Sequence, residues 1–157
     1  MKISILLPLK ENFSPSYAGA VSLFINDTLR FSKFKNNITV FGQTEFKKKF
    51  NKKYFNIGVN KSLFQSQNKN YVKEFIQKEK QLDSEIIELH NRPIYLKYLV
   101  NELKNRNYIL YFHNDPLTMT GSKSISDRSF LLNNCYRIIF NSNWSKKRFS
   151  QNMKSDV

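Results

Sequence analysis

Six short apolar runs alternate with stretches of helical spacing along this chain. Residues 3–7 form an apolar run that ends at Pro8, the pattern of a buried parallel strand. The loop at 10–16 carries Ser14-Pro15-Ser16, a helix-start signal, and Val21, Phe24, Ile25 and Leu29 then repeat at helical spacing over 17–33. Asn36-Asn37 makes a turn before a second strand at 38–41, closed by Gly42. A weaker third strand is expected at 54–59, and Val72, Phe75, Ile76 and Leu82 mark the next helix. A fourth strand covers 85–90, and Pro93 opens a helix bearing Ile94, Tyr98, Leu99 and Leu103. A fifth strand at 108–112, a helix at 123–134 and a sixth strand at 136–140 follow. Ser142 is expected to cap a last helix that buries Trp144, Phe149 and Met153.

Strand and helix thus alternate throughout. Parallel strands require crossovers, and right-handed crossovers give an open sheet. The expected fold class is therefore α/β: a Rossmann-like, open, mostly parallel sheet with helices on both faces, in a single domain over 1–157.

In such sheets ligands bind beyond the carboxyl ends of the strands, near the point where strand order reverses. Polar residues concentrate there. Lys10, Glu11 and Asn12, then Tyr17-Ala18-Gly19-Ala20, follow the first strand. His90-Asn91-Arg92-Pro93 follows the fourth, His113-Asn114-Asp115-Pro116 the fifth and Asn141-Ser142-Asn143-Trp144 the sixth. Both histidines of the chain fall in these loops. Gly19 and Ala20 at a helix start admit close approach of a ligand to first-turn N–H groups, which favour anions; the same small residues also serve tight helix–sheet packing. His113 and His90 are suited to hydrogen-bonding a sugar hydroxyl or moving a proton near neutral pH, or to a purely structural bond at a strand end. Arg92 offers a fork for phosphate or carboxylate, or caps its loop. Asp115 offers an acceptor for hydroxyls, or forms a turn before Pro116. The chain has no glycine-rich dinucleotide fingerprint, no Ser-His-Asp or Cys-His arrangement and no recognisable metal motif, so no metal is expected.

Composition narrows the picture further. The formal charge is +14, which favours polyanionic partners, but lysine and asparagine are abundant throughout and most lysines are scattered. The densest cluster, Lys47-Lys48-Lys49 with Lys52-Lys53, is interleaved with Phe46, Phe50, Tyr54 and Phe55. It is either a solvated loop or a surface for an anionic bilayer. A nucleic-acid module would need a basic stripe with stacking aromatics on one face; here the aromatics follow core periodicity, and no nucleic-acid partner is expected. A phosphorylation-type response domain would need paired acidic residues after the first strand, which are missing. The first eight residues are too short for a signal sequence, and the expected location is cytoplasmic, with peripheral contact at the inner face of the membrane through the basic cluster. The single cysteine, Cys135, excludes an internal disulfide and is expected to be a buried helix residue.

With these segments in view, the chain resembles the family 4 group of retaining GT-B glycosyltransferases, which includes lipopolysaccharide and other cell-surface glycan enzymes. The likeness is carried by Lys2-Ile3-Ser4-Ile5-Leu6, by Gly19-Ala20-Val21 where the family commonly has a Gly-Gly pair, by Ile86-Ile87-Glu88-Leu89-His90-Asn91-Arg92-Pro93 and by Tyr111-Phe112-His113-Asn114-Asp115-Pro116. The stretch 135–144 also fits the serine-after-strand element that precedes the last helix of this half. The resemblance implies an N-terminal, acceptor-binding domain, with a nucleotide-sugar as donor substrate, a glycan or lipid acceptor and no cofactor. It implies that His113 is the catalytic-site histidine contacting the donor sugar, and that Gly19 and Ala20 approach the donor phosphate or acceptor. His90, Asn91, Arg92, Asn114, Asp115 and Ser142 complete the expected binding rim. The family's phosphate-binding Arg/Lys pair and paired glutamates belong to a second, C-terminal domain, and nothing in this chain corresponds to them. Because stabilising a leaving diphosphate is a large electrostatic requirement, the chain is expected to need that domain, or a partner chain, for turnover.

Overall fold

The computed structural model describes residues 1–50, 53–58 and 66–153. Its strands are β1 (Ile3–Leu6), β2 (Ile38–Gly42), β3 (Tyr54–Asn56), β4 (Ile86–His90), β5 (Asn107–Phe112) and β6 (Arg137–Phe140). Its helices are α1 (Ala20–Phe31), α2 (Gln67–Leu82), α3 (Ile94–Leu99), α4 (Ile125–Asn134) and α5 (Asn143–Ser150). The strands form one sheet in the order β3-β2-β1-β4-β5-β6, and every neighbouring pair is parallel. This is the expected Rossmann-like α/β fold. Strand order reverses between β1 and β4, which places a crevice beyond Leu6 and His90.

Alternation along the central strands sorts side chains onto two faces. On one face Leu6, Phe41, Ile87, Leu89, Tyr108, Leu110 and Phe112 pack with Val72, Phe75 and Ile76 of α2, Tyr95, Leu96 and Leu99 of α3, Leu131 of α4 and Phe149 of α5. On the other, Ile3, Ile5, Leu7, Ile38 and Val40 pack with Val21, Ile25 and Leu29 of α1 and with Phe13. A buried polar lock secures the lower end of the sheet. The Glu79 carboxylate of α2 accepts from the Ser84 amide at 2.7 Å and from the Ser4 hydroxyl.

Several expectations are corrected. Of the third strand expected at 54–59, residues 54–56 form β3 and residues 57 and 58 do not, while Val59 lies outside the described residues; no helix lies between β2 and β3 among the described residues, so helix and strand do not alternate there. The Ser14-Pro15-Ser16 signal does not start α1. The helix begins at Ala20, because Glu11 Oε1 accepts from the Ser22 amide at 2.9 Å and supplies the missing cap. Trp144 is 58% exposed rather than buried. α5 has only eight residues and buries Ser145 and Phe149, four apart on one stripe, so Trp144 falls outside it beside the Arg148 guanidinium. Cys135 follows α4 as its C-cap and is half-buried; burial pushes its thiol up to about 12. Among the described residues no helix is long and apolar enough to cross a membrane.

The basic cluster is partly structural. Phe50 and Tyr54 pack on Phe13, with ring centroids 5.3 and 5.5 Å away, and Phe55 stacks on Phe41 at 5.5 Å. The Lys49 ammonium lies 5.5 Å over the Tyr54 ring and donates to the Phe46 carbonyl, and Lys53 donates to the carbonyl of Asn36. Lys52 lies outside the described residues.

Candidate functional site at the carboxyl rim

The ends of β1, β4 and β5 and the start of α1 enclose a cleft of about 260 Å³. Pro8 and Glu11 line it from the β1 side, Ala20 and Val21 from α1, Asn91 and Arg92 from the loop after β4, and His113 and Asn114 from the loop after β5. A larger cleft of about 620 Å³ shares Asn91 and Arg92 and continues past Lys10, Asn68, Thr118 and Thr120. The structure thus brings Ala20, Asn91, Arg92, His113 and Asn114 together around one cleft, whereas Gly19 is packed against the Glu11 carboxylate.

The rim is held by a specific backbone device. Asn91 adopts φ +52°, a left-handed conformation that asparagine tolerates better than most residues. Its amide donates to the Tyr111 carbonyl at 2.9 Å, and its side-chain Oδ1 accepts from the His113 amide at 2.7 Å. The Asn141 side-chain amide in turn donates to the His113 carbonyl at 2.7 Å. Thus the loops after β4, β5 and β6 are tied together through His113. Arg92 stays partly exposed between the two clefts, and its Nη1 donates to the Asn91 carbonyl at 2.8 Å.

The two histidines are not equivalent. His90 is 1% exposed and lies beneath the cleft, flat against Tyr111 with centroids 4.6 Å apart and planes at 9°. His113 lines the cleft, its ring 4.9 Å from Phe24 and its Nε2 3.0 Å from His90 Nδ1. Burial, and secondarily the neighbouring His90, lower the His113 pKa from 6.5 to about 4. At neutral pH His113 is therefore a neutral imidazole, able both to accept and to donate a hydrogen bond.

Two predicted rim residues are committed elsewhere. Asp115 accepts from the Leu117 amide at 3.0 Å and pairs with Arg148 of α5 at 3.0 Å, a contact that lowers its pKa. It forms the turn into Pro116 and anchors α5 rather than lining the cleft. Ser142 caps α5, its Oγ accepting from the Ser145 amide at 3.1 Å. The helix start at Gly19-Ala20 also differs from the expectation of an anion site. The anion already there is Glu11, whose carboxylate fills the space a Cβ on Gly19 would need.

Sequence reasoning missed Glu11 as a cap, Gly121, and Glu88. Gly121 sits at φ +94° with its Cα against the backbone of Ile94, so a side chain there would meet the start of α3. Glu88 is two residues before His90 on one strand face, which brings its Oε2 within 3.7 Å of His90 Nε2. The period-two spacing of Glu88 and His90 was the signal that could have revealed it.

No family model matches the chain, and no curated protein matches it. Among solved structures, the chain is similar to sucrose-phosphate synthase from Thermosynechococcus elongatus, with a TM-score of 0.55 and 8% sequence identity. The similarity covers 88% of this chain and 42% of that one, so the chain spans less than half the length of that protein. At this identity the likeness establishes the fold alone.

Proposed function

We propose that this chain is the acceptor-side, N-terminal domain of a retaining GT-B glycosyltransferase of the family 4 type. It acts with a donor-binding domain beyond this chain, or in a partner chain, to move a sugar from a nucleotide-sugar to a cell-surface glycan or lipid acceptor. The observation that carries this reading is the polar cleft at the strand-order reversal, where neutral His113 stands beside Arg92, Asn91 and Asn114. The structural likeness to a sucrose-phosphate synthase supports it.

A neutral imidazole hydrogen-bonds a sugar hydroxyl without requiring a counter-charge. Asn91 and Asn114 supply amide donors and acceptors of the kind that recognise hydroxyl groups, and Arg92 supplies a planar cation for a phosphate or carboxylate on the acceptor. Glu11 holds the start of α1 in place. The chain alone binds but does not turn over, because the cations that neutralise a leaving diphosphate are expected in the other domain.

The test is a titration of the isotopically labelled chain with short glycan and glycolipid-headgroup fragments, followed by amide NMR. Shifts centred on Asn91, Arg92, His113 and Asn114, with no sugar transfer from nucleotide-sugars by this chain alone, are the expected result. Shifts confined to other surfaces, or transfer by the chain alone, would overturn the reading.

A further inference from the structure

We propose that Glu88 and His90 are positioning residues for His113. Together they hold His113 with its proton on Nε2, so that Nδ1 is the ring nitrogen left to accept a hydrogen bond. The role in sugar transfer rests on the function proposed above; the tautomer does not.

A single hydrogen lies between His90 Nδ1 and His113 Nε2, which are 3.0 Å apart. Either nitrogen is able to carry it, and the far side of His90 decides between them. Among the described residues His90 Nε2 is buried without a hydrogen-bond partner, and the Glu88 carboxylate stands close by, with Oε2 at 3.7 Å. If His90 donated from Nδ1, its Nε2 lone pair would face that anion in a poorly solvated site, where repulsion is strengthened. If His113 donates from Nε2, His90 instead carries its proton on Nε2, pointing a positive N–H toward the carboxylate. Electrostatics therefore selects the second arrangement, and the preference passes through one imidazole to the next.

The surroundings keep both rings in place. Tyr111 stacks on His90, Phe24 of α1 packs edge-on against His113, and Asn91 and Asn141 hold the His113 backbone from both sides. The other ionisable groups nearby leave this logic intact. Burial and the Glu88 charge push the Tyr111 hydroxyl up to about 12, so it stays neutral, while Glu11 and Arg92 line the cleft with His113 and Glu88 lines a separate cavity with His90 and Tyr111. α1 contributes Phe24, which is uncharged.

The chain contains only two histidines, so long-range proton–nitrogen correlation spectra of the labelled 157-residue chain at pH 7 contain only their ring signals. Both rings are expected to carry the proton on Nε2. In Glu88→Met, which removes the acceptor at similar volume, the preference at His113 should fall several-fold while the backbone spectrum keeps its dispersion. A proton on His90 Nδ1 in the unmodified chain would overturn the proposal, as would a His113 tautomer ratio unchanged in Glu88→Met. Should that variant not fold, the tautomer of the unmodified chain decides the matter alone. Neither readout involves sugar transfer, so the relay and the glycosyltransferase reading fail independently.

Discussion

The two faces of the sheet are built for different purposes. One face is closed by four helices, α2 to α5, and its core includes Phe75, Leu89, Tyr95, Leu110 and Phe149, all fully buried. Among the described residues the other carries α1 alone, and the core beneath it is centred on β1 and β2. Past Phe24 that second face presents Tyr111, Ile139 and Arg137, and Ile139 is 37% exposed. The chemistry-bearing side chains Glu88, His90, Tyr111 and His113 are all on this thinner face. Stability is concentrated where the packing is complete, and His113, whose pKa burial lowers to about 4, lies where it is not.

The largest effects separate the faces directly. Phe75→Ala should lower unfolding stability by about 3–5 kcal/mol, since it leaves a cavity among fully buried side chains. Ile139→Ala on the open face should cost less than about 1 kcal/mol. Urea unfolding checks both, and similar losses would show that the open face is packed as tightly as the closed one.

Next in size is Gly121→Ala, expected to cost about 1–3 kcal/mol, because it combines a left-handed φ with a collision at the start of α3. An unchanged denaturation midpoint would mean that this loop does not support the rim. Glu11→Ala should cost about 1 kcal/mol through loss of the α1 cap, again by urea unfolding.

A separate effect belongs to pH. The unfolded chain binds a proton at His113 near 6.5, whereas the folded chain resists it until about 4. The contribution of His113 is therefore complete above 6.5 and is lost as pH falls through this window. His113→Gln should flatten the decline in stability between these values relative to the unmodified chain. Identical slopes for the two would show that His113 is not held neutral by its surroundings.

Much of the fold is legible in the chain because buried strands and amphipathic helices leave periodic apolar patterns. β1, β4 and β5 are marked by their runs, and α1 and α2 by theirs. What escapes is set by tertiary partners. The start of α1 depends on Glu11, nine residues earlier in the chain than Ala20, and the exposure of Trp144 depends on which side of a two-turn helix meets the core. The site divides in the same way. Loops after parallel strands had to share an edge, so Asn91, Arg92, His113 and Asn114 were found together. Whether a polar side chain turns into the cleft is a local matter: Asp115 turned to Leu117 and Arg148, and Ser142 to the end of α5. The sequence pattern places His90 on the binding rim beside His113, but the pairing of His90 with Tyr111 across β4 and β5 buries it beneath the rim.

The most direct test of the proposed function is the rate of sugar transfer by the chain assembled with the donor-binding domain that the proposal requires, compared between the unmodified form and His113→Ala. The account predicts a loss of at least about 100-fold, with the fold retained by circular dichroism and amide NMR. Transfer by a folded His113→Ala protein at the unmodified rate would contradict the placement of the reacting sugar at this rim.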